Sequence, residues 1–118
     1  MQISRVISMV LVQDIDRAIR FYRDTLGFTV QLEEEDWAVF TEGVGLMVSP
    51  EPLPQDNMNL NSVIITLNVR NVQDAYNELI DRGVAFLVLP TDVGGATVAS
   101  FRDTEGNVLQ LVEAETGV

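Results

Sequence analysis

Apolar and polar positions along the chain change period in a fixed order. Across residues 14–28, DIDRAIRFYRDTLGF, the apolar side chains Ile15, Ala18, Ile19, Tyr22 and Leu26 recur at steps of three and four. That spacing is the stripe of an amphipathic helix. Asp14 stands where a carboxylate can accept from the unpaired first-turn amides and meet the positive end of the helix dipole. Gly27 stands where a left-handed residue closes such a helix. Residues 3–12 and 28–32, rich in β-branched and aromatic side chains, read as flanking strands. Residues 37–41 and 45–49 then form a hairpin turning at 42–44, after the solvated acidic turn Glu33-Glu34-Glu35-Asp36.

The same order returns in the second half. Val72, Ala75, Tyr76 and Leu79 lie 57 residues after Ile15, Ala18, Ile19 and Tyr22 (72 − 15 = 57), with Asn71 as the cap and Gly83 as the closing glycine. A second echo, Thr41-Glu42-Gly43 and Thr104-Glu105-Gly106, has an offset of 63 (104 − 41 = 63). Strands are expected at 62–69, 84–89, 97–101 and 107–113, and a helix at about 72–82. Residues 90–96, with Gly94-Gly95, read as a mobile loop. Prolines at 50, 52 and 54 exclude a central strand, so residues 50–60 are the crossover between halves. Two copies are too few for a solenoid, whose faces need three or more repeats to be buried. The expected fold is α+β: one domain over 1–118, built from two βαβββ modules at about 1–50 and 60–114.

Strand parity sorts the side chains by face. Ile65, Leu67 and Val69 form an apolar face fit to bury a helix stripe, which leaves Ile64, Thr66 and Asn68 on the other face. The offsets put Ile7, Met9, Leu11, Met47 and Gln110 on that second face as well. Its mixed polarity suits a pocket. Trp37, Phe40, Phe86 and Phe101 are expected on strands beside it, where aromatic rings can stack on a ligand.

Composition narrows the chemistry. With 47% apolar and 21% charged residues the chain is expected to form a globular core rather than to be disordered. No run approaches the ~18 apolar residues of a spanning helix, and the start MQISR lacks the apolar block of a secretory leader, so no membrane association and a cytoplasmic location are expected. Eighteen acidic against seven basic residues, a net charge of −11, would repel phosphate backbones, and nucleic acid is excluded as a partner. The chain has neither cysteine nor histidine, and all seven basic residues are arginines. Thiolate catalysis, imidazole bases and lysine Schiff bases are thereby excluded, leaving carboxylates and tyrosine for acid–base work.

The residues Val12-Gln13-Asp14-Ile15, Ala18, Phe21-Tyr22 and Leu26-Gly27-Phe28, with Phe101-Arg102-Asp103-Thr104-Glu105-Gly106-Asn107 and Leu109-Gln110-Leu111 near the end, resemble the vicinal oxygen chelate superfamily. That group contains glyoxalase I, extradiol dioxygenases, fosfomycin-resistance proteins and bleomycin-binding proteins. The resemblance covers nearly the whole chain, and it implies two modules whose curled mixed sheets form a cleft, commonly within a homodimer. Metal-dependent members place ligands at four positions that match Ile7, Met47, Ile64 and Gln110 here. Three of the four are apolar, and one amide cannot hold a hard divalent cation against water.

No metal and no cofactor are therefore expected. The leading expectation is a metal-free protein that binds an apolar or aromatic small molecule, as in drug sequestration and antibiotic resistance. The expected ligand-contacting residues are Ile7, Met9, Trp37, Phe40, Met47, Ile64, Thr66, Phe101 and Gln110. The alternatives are a metal-independent lyase or isomerase, or a dioxygenase-like member without the usual metal site, and a small interaction subunit whose cleft a partner fills.

Overall fold

A computed structural model of the protein describes residues 1–49 and 64–114. The crossover expected at 50–60 lies outside the described residues. Two compact units, Met1–Asn57 and Met58–Val118, divide the chain.

The first unit runs β1 (Ser8–Val12), α1 (Ile15–Arg20), a π-helical turn (Phe21–Thr25), β2 (Val30–Glu33), β3 (Trp37–Phe40) and β4 (Val44–Val48). Its sheet order is β1-β4-β3-β2, with β1 parallel to β4 and the other neighbours antiparallel. The second unit runs β5 (Ile65–Asn68), α2 (Val72–Asp81), β6 (Phe86–Val93), β7 (Ala96–Arg102) and β8 (Val108–Ala114). Its order is β5-β8-β7-β6, with β5 parallel to β8. Each unit is thus one βαβββ module with the same connectivity, as the repeat predicts.

The helix ends follow from local chemistry. Asp14 Oδ1 accepts from the Arg17 amide at 3.0 Å, and Asn71 Oδ1 accepts from the Asp74 amide at 2.9 Å. Glu113 adds a second acceptor at the start of α2, taking the Val72 amide at 2.7 Å, which ties the helix to the last strand of its own sheet. Gly27 and Gly83 close the helices at φ 86° and 90°, the left-handed region where a β-carbon is costly. The first helix does not stay α-helical to its end, because the Leu26 amide donates to the Phe21 carbonyl five residues back.

Each helix covers one face of its sheet. In the first module Val10, Val12, Ala38, Phe40, Val44 and Leu46 are buried toward Ala18, Ile19 and Tyr22. Tyr22 and Phe40 stack at 5.7 Å with 17° between their planes, and Phe28 meets both rings edge-on. In the second module Ala99, Phe101, Leu109 and Leu111 are buried with Val72 and Leu79. There Phe86 bridges Tyr76 at 4.7 Å and Phe101 at 5.3 Å.

Two expectations need correction. The first strand begins at Ser8 rather than residue 3, because Arg5 turns away from the strand line to donate to Gln31 Oε1 at 2.7 Å and the Phe40 carbonyl at 3.3 Å. Residues 90–93 are strand rather than loop. β6 lies at the sheet edge, where Pro90 removes no ladder hydrogen bond, and its register shift falls between Val88 and Thr91. Gly94 and Gly95, both at positive φ, then close a two-residue hairpin. Asp103, in the turn between β7 and β8, is only 6% exposed. It accepts from the Glu105 and Asn107 amides, both at 2.8 Å, and from Asn107 Nδ2 at 2.9 Å.

The division of faces makes a stability prediction. Phe40→Ala, in the ring cluster, should cost about 3–5 kcal/mol, whereas Met47→Ala, on the uncovered face of the adjacent strand, should cost about 1 kcal/mol or less. Urea denaturation of both variants measures the difference; equal costs would mean that both faces of the first sheet are packed.

Candidate functional site

The register of the strands defines the face that each helix leaves open. In the first module Leu11 pairs with Met47 and Met47 with Trp37, making one row across three strands. The next row is Met9, Gly45, Val39 and Leu32. Every side chain in these two rows is apolar. Met9, Leu11, Leu32 and Met47 are 40, 44, 47 and 42% exposed, and beside the first, second and fourth of these lie the buried Val10, Val12 and Leu46 on the same strands. Trp37 is half-buried.

Gly45 shapes this face. It is buried, and a β-carbon built there would run into the Met9 sulfur and come within 3.2 Å of the Ala38 carbonyl. Met9 therefore lies flat across the glycine, and the absence of a side chain at 45 is what lets it do so.

The open face of the second module is chemically different. Thr66, Gln110, Ser100 and Val88 form one row, and Asn68, Val112, Val98 and Thr91 the next. Arg102 pairs with Val108 beside Ser100 and Gln110. The Thr66 hydroxyl donates to the Ile64 carbonyl at 3.4 Å, and Ile64 is exposed just ahead of β5.

Of the residues expected to contact a ligand, Met9, Trp37 and Met47 come together on the first open face, and Ile7, half-buried, immediately precedes β1. Ile64, Thr66 and Gln110 belong to the second module, where Thr66 and Gln110 are direct neighbours. Phe40 and Phe101 lie elsewhere: both are 0% exposed on the helix-facing side, in the ring clusters of their modules. Phe86 joins Phe101 there. Strand parity accounts for this, since Phe101 and Arg102 are adjacent and must point to opposite faces.

Sequence reasoning missed Leu32, Ser100 and Arg102. The signal for the last two was present, because the offset of 63 extended backward pairs Trp37 with Ser100 and Val39 with Arg102 (100 − 37 = 63, 102 − 39 = 63). Leu32 was hidden by the irregular register between Val30 and Leu32, which shifts the parity of β2.

Among the described strand residues, no carboxylate or tyrosine occupies either open face. Tyr22 is enclosed by Phe28 and Phe40, and Tyr76 packs on Phe86. The Glu42 carboxylate sits in the β3–β4 turn, accepting from the Thr29 amide at 3.0 Å and the Thr41 hydroxyl at 3.2 Å. Burial alone would push this carboxyl up; the hydrogen bonds from Thr29, its own amide and Thr41 together outweigh that and hold it below its ordinary value. Among the described residues no group of three carboxylates is placed to hold a metal ion. The four positions at which the family resemblance implies metal ligands do not fit one, since Ile7 and Ile64 have no donor atom and Met47 has only a thioether, poorly matched to hard divalent cations. Protein purified without chelators should carry no stoichiometric zinc, nickel or manganese by elemental analysis. One equivalent of metal that disappears in Gln110→Ala would overturn this.

A family model described as the Glyoxalase/Bleomycin resistance protein/Dioxygenase superfamily matches residues 3–111. The uncharacterized protein YurT of Bacillus subtilis (strain 168) is 32% identical, the match covering 92% of this chain and 97% of that protein. Among solved structures, TnmS3, an antibiotic binding protein from Streptomyces sp. CB03234, is 26% identical with a TM-score of 0.71, covering 98% of this chain and 99% of that one. A protein of unknown function from Agrobacterium tumefaciens str. C58 shares the fold at a TM-score of 0.79 and 19% identity, covering 97% of this chain and 96% of that one.

Proposed function

Because the chain belongs to the glyoxalase/bleomycin resistance protein/dioxygenase superfamily, we propose that it is a metal-free small-molecule-binding member, which sequesters an apolar or aromatic compound without transforming it. The observation that carries this reading is the first module's open face. Met9, Leu11, Leu32 and Met47 are exposed there beside Trp37, with no polar side chain among the strand positions. Exposed apolar surface of this kind costs solubility unless something covers it. Thioethers and an indole adapt well to a flat, polarisable ring system. The likeness to the antibiotic binding protein TnmS3 supports the same reading.

Transformation of the ligand is the weaker reading. No carboxylate or tyrosine occupies an open-face strand position among the described residues, so a general base would have to come from outside both faces. In the proposed function the protein acts in the cytoplasm as a homodimer, a second copy covering part of the exposed apolar surface and the unpaired strand edges. Sedimentation at micromolar concentration tests the dimer, and a monomer would refute it.

Trp37 is the only tryptophan of the chain, so emission changes can be assigned to it. In a screen of apolar and aromatic compounds by tryptophan fluorescence and thermal shift, a compound stacked on Trp37 should quench it. At 100 times its dissociation constant it should add about 2.7 kcal/mol of stability. Met47→Glu should abolish both effects. Hits indifferent to Met47→Glu would place the site elsewhere, chemical conversion of a hit would replace binding with catalysis, and a screen with no hit would leave the interaction-subunit reading.

A further inference from the structure

We propose that Met9 is the specificity-determining residue of the first module's open face: its side chain plugs a slot over Gly45, and a ligand enters by displacing it, which selects compounds that present a thin, planar, apolar edge. This deepens the small-molecule-binding reading above and rests on it. Every residue involved belongs to the first module.

A glycine in the interior of a strand weakens that strand, and it marks a turn, a bulge or the close approach of another group. Gly45 serves neither of the first two. It lacks the positive φ of the turn glycines, and β4 runs in unbroken register with β1 on one side and β3 on the other. What remains is the space above it. The Met9 sulfur lies in that space, and the Met9 methyl is 3.1 Å from where a β-carbon would stand.

The residue that fills the slot is also one well able to leave it. Methionine is unbranched and turns about three bonds. Met9 is 40% exposed, so its thioether has open surroundings into which to swing. Val39 forms the opposite wall, since Met9, Gly45 and Val39 are register partners across β1, β4 and β3. Two strand spacings separate the walls by about 9.6 Å. The walls themselves take up ~2 Å each, which leaves a gap of roughly 5–6 Å once the thioether has moved. An aromatic ring ~3.5 Å thick enters such a gap edge-on, whereas a puckered saturated ring meets both walls. Met47, two residues along β4 on the same face, and Trp37, its partner on β3, border one end of the slot. A ring held there would lie beside a thioether and an indole, with no polar side chain in either row to meet a hydrophilic edge.

The test uses a flat probe and its saturated counterpart, 2-naphthol and decahydro-2-naphthol, titrated by calorimetry. The flat compound should bind about tenfold more tightly. The chain has four methionines, and with carbon-13 in their methyl groups the Met9 resonance, identified by its loss in Met9→Ala, should move furthest and follow the calorimetric binding curve. Gly45→Ala, which fills the slot, should lower the affinity for 2-naphthol about tenfold and leave decahydro-2-naphthol nearly unaffected, so that the preference disappears. Met9→Ala, which widens the slot, should narrow the preference by admitting the saturated ring. If Gly45→Ala does not fold, Met9→Ala/Gly45→Ala carries the same β-carbon without the sulfur clash, and its loss of preference is read against Met9→Ala alone. Equal binding of the two probes, a Met9 methyl that responds to neither, or an unchanged preference in the folded alanine variants would overturn the slot and leave the binding reading intact. Failure of both probes to bind at millimolar concentration would count against both readings.

Discussion

One helix covers one face of each four-stranded sheet, and this constraint governs the rest of the structure. Alternation along a strand sends every second side chain to the helix and every other to the opposite face, so the sequence of each strand must satisfy two environments at once. Phe40, Leu46 and Val12 meet the first demand through burial against Tyr22 and its neighbours. Met47, Leu11 and Trp37 meet the second, and their hydrophobicity serves no packing need that the described module supplies. The open face is in this sense the remainder left after the fold has been stabilised.

The two modules use that remainder differently. They share caps, closing glycines, sheet order and strand directions. Yet Met9, Met47, Trp37 and Val39 correspond by their offsets to Thr66, Gln110, Ser100 and Arg102. Divergence has thus been concentrated on the side that the helices do not hold, where exchanging an apolar for a polar residue leaves the core undisturbed. Helix-facing positions such as Leu46 and Leu109, or Ala38 and Phe101, have stayed apolar in both halves.

Much of this was legible in the sequence because its signals are local. Asp14 and Asn71 announce helix starts by their chemistry, Gly27 and Gly83 announce the ends, and the two offsets reveal the duplication without reference to any contact. What was not legible depends on which strand lies beside which. Phe40 and Phe101 look like ligand-stacking residues until register shows them one step out of phase with Met47 and Gln110. The continuation of β6 through Pro90 requires knowing that the strand is an edge, and the late start of β1 depends on Arg5 finding Gln31 and the Phe40 carbonyl across the sheet. The turn at 103–107 was recognisable as a turn, but the burial of Asp103 within it follows from a hydrogen-bond network that composition does not reveal.

Gly45 and Met9 cannot vary independently. Because the thioether occupies the space that any larger residue at 45 would claim, a descendant sequence that gains a side chain at 45 must reshape position 9 in the same lineage or distort the parallel pairing of β1 with β4. The unbranched methionine, with its three rotatable bonds, is the residue most able to tolerate an intermediate step along that path. Paired replacements at positions 9 and 45 are thus the expected mark of a lineage in which the floor of the first module has changed depth.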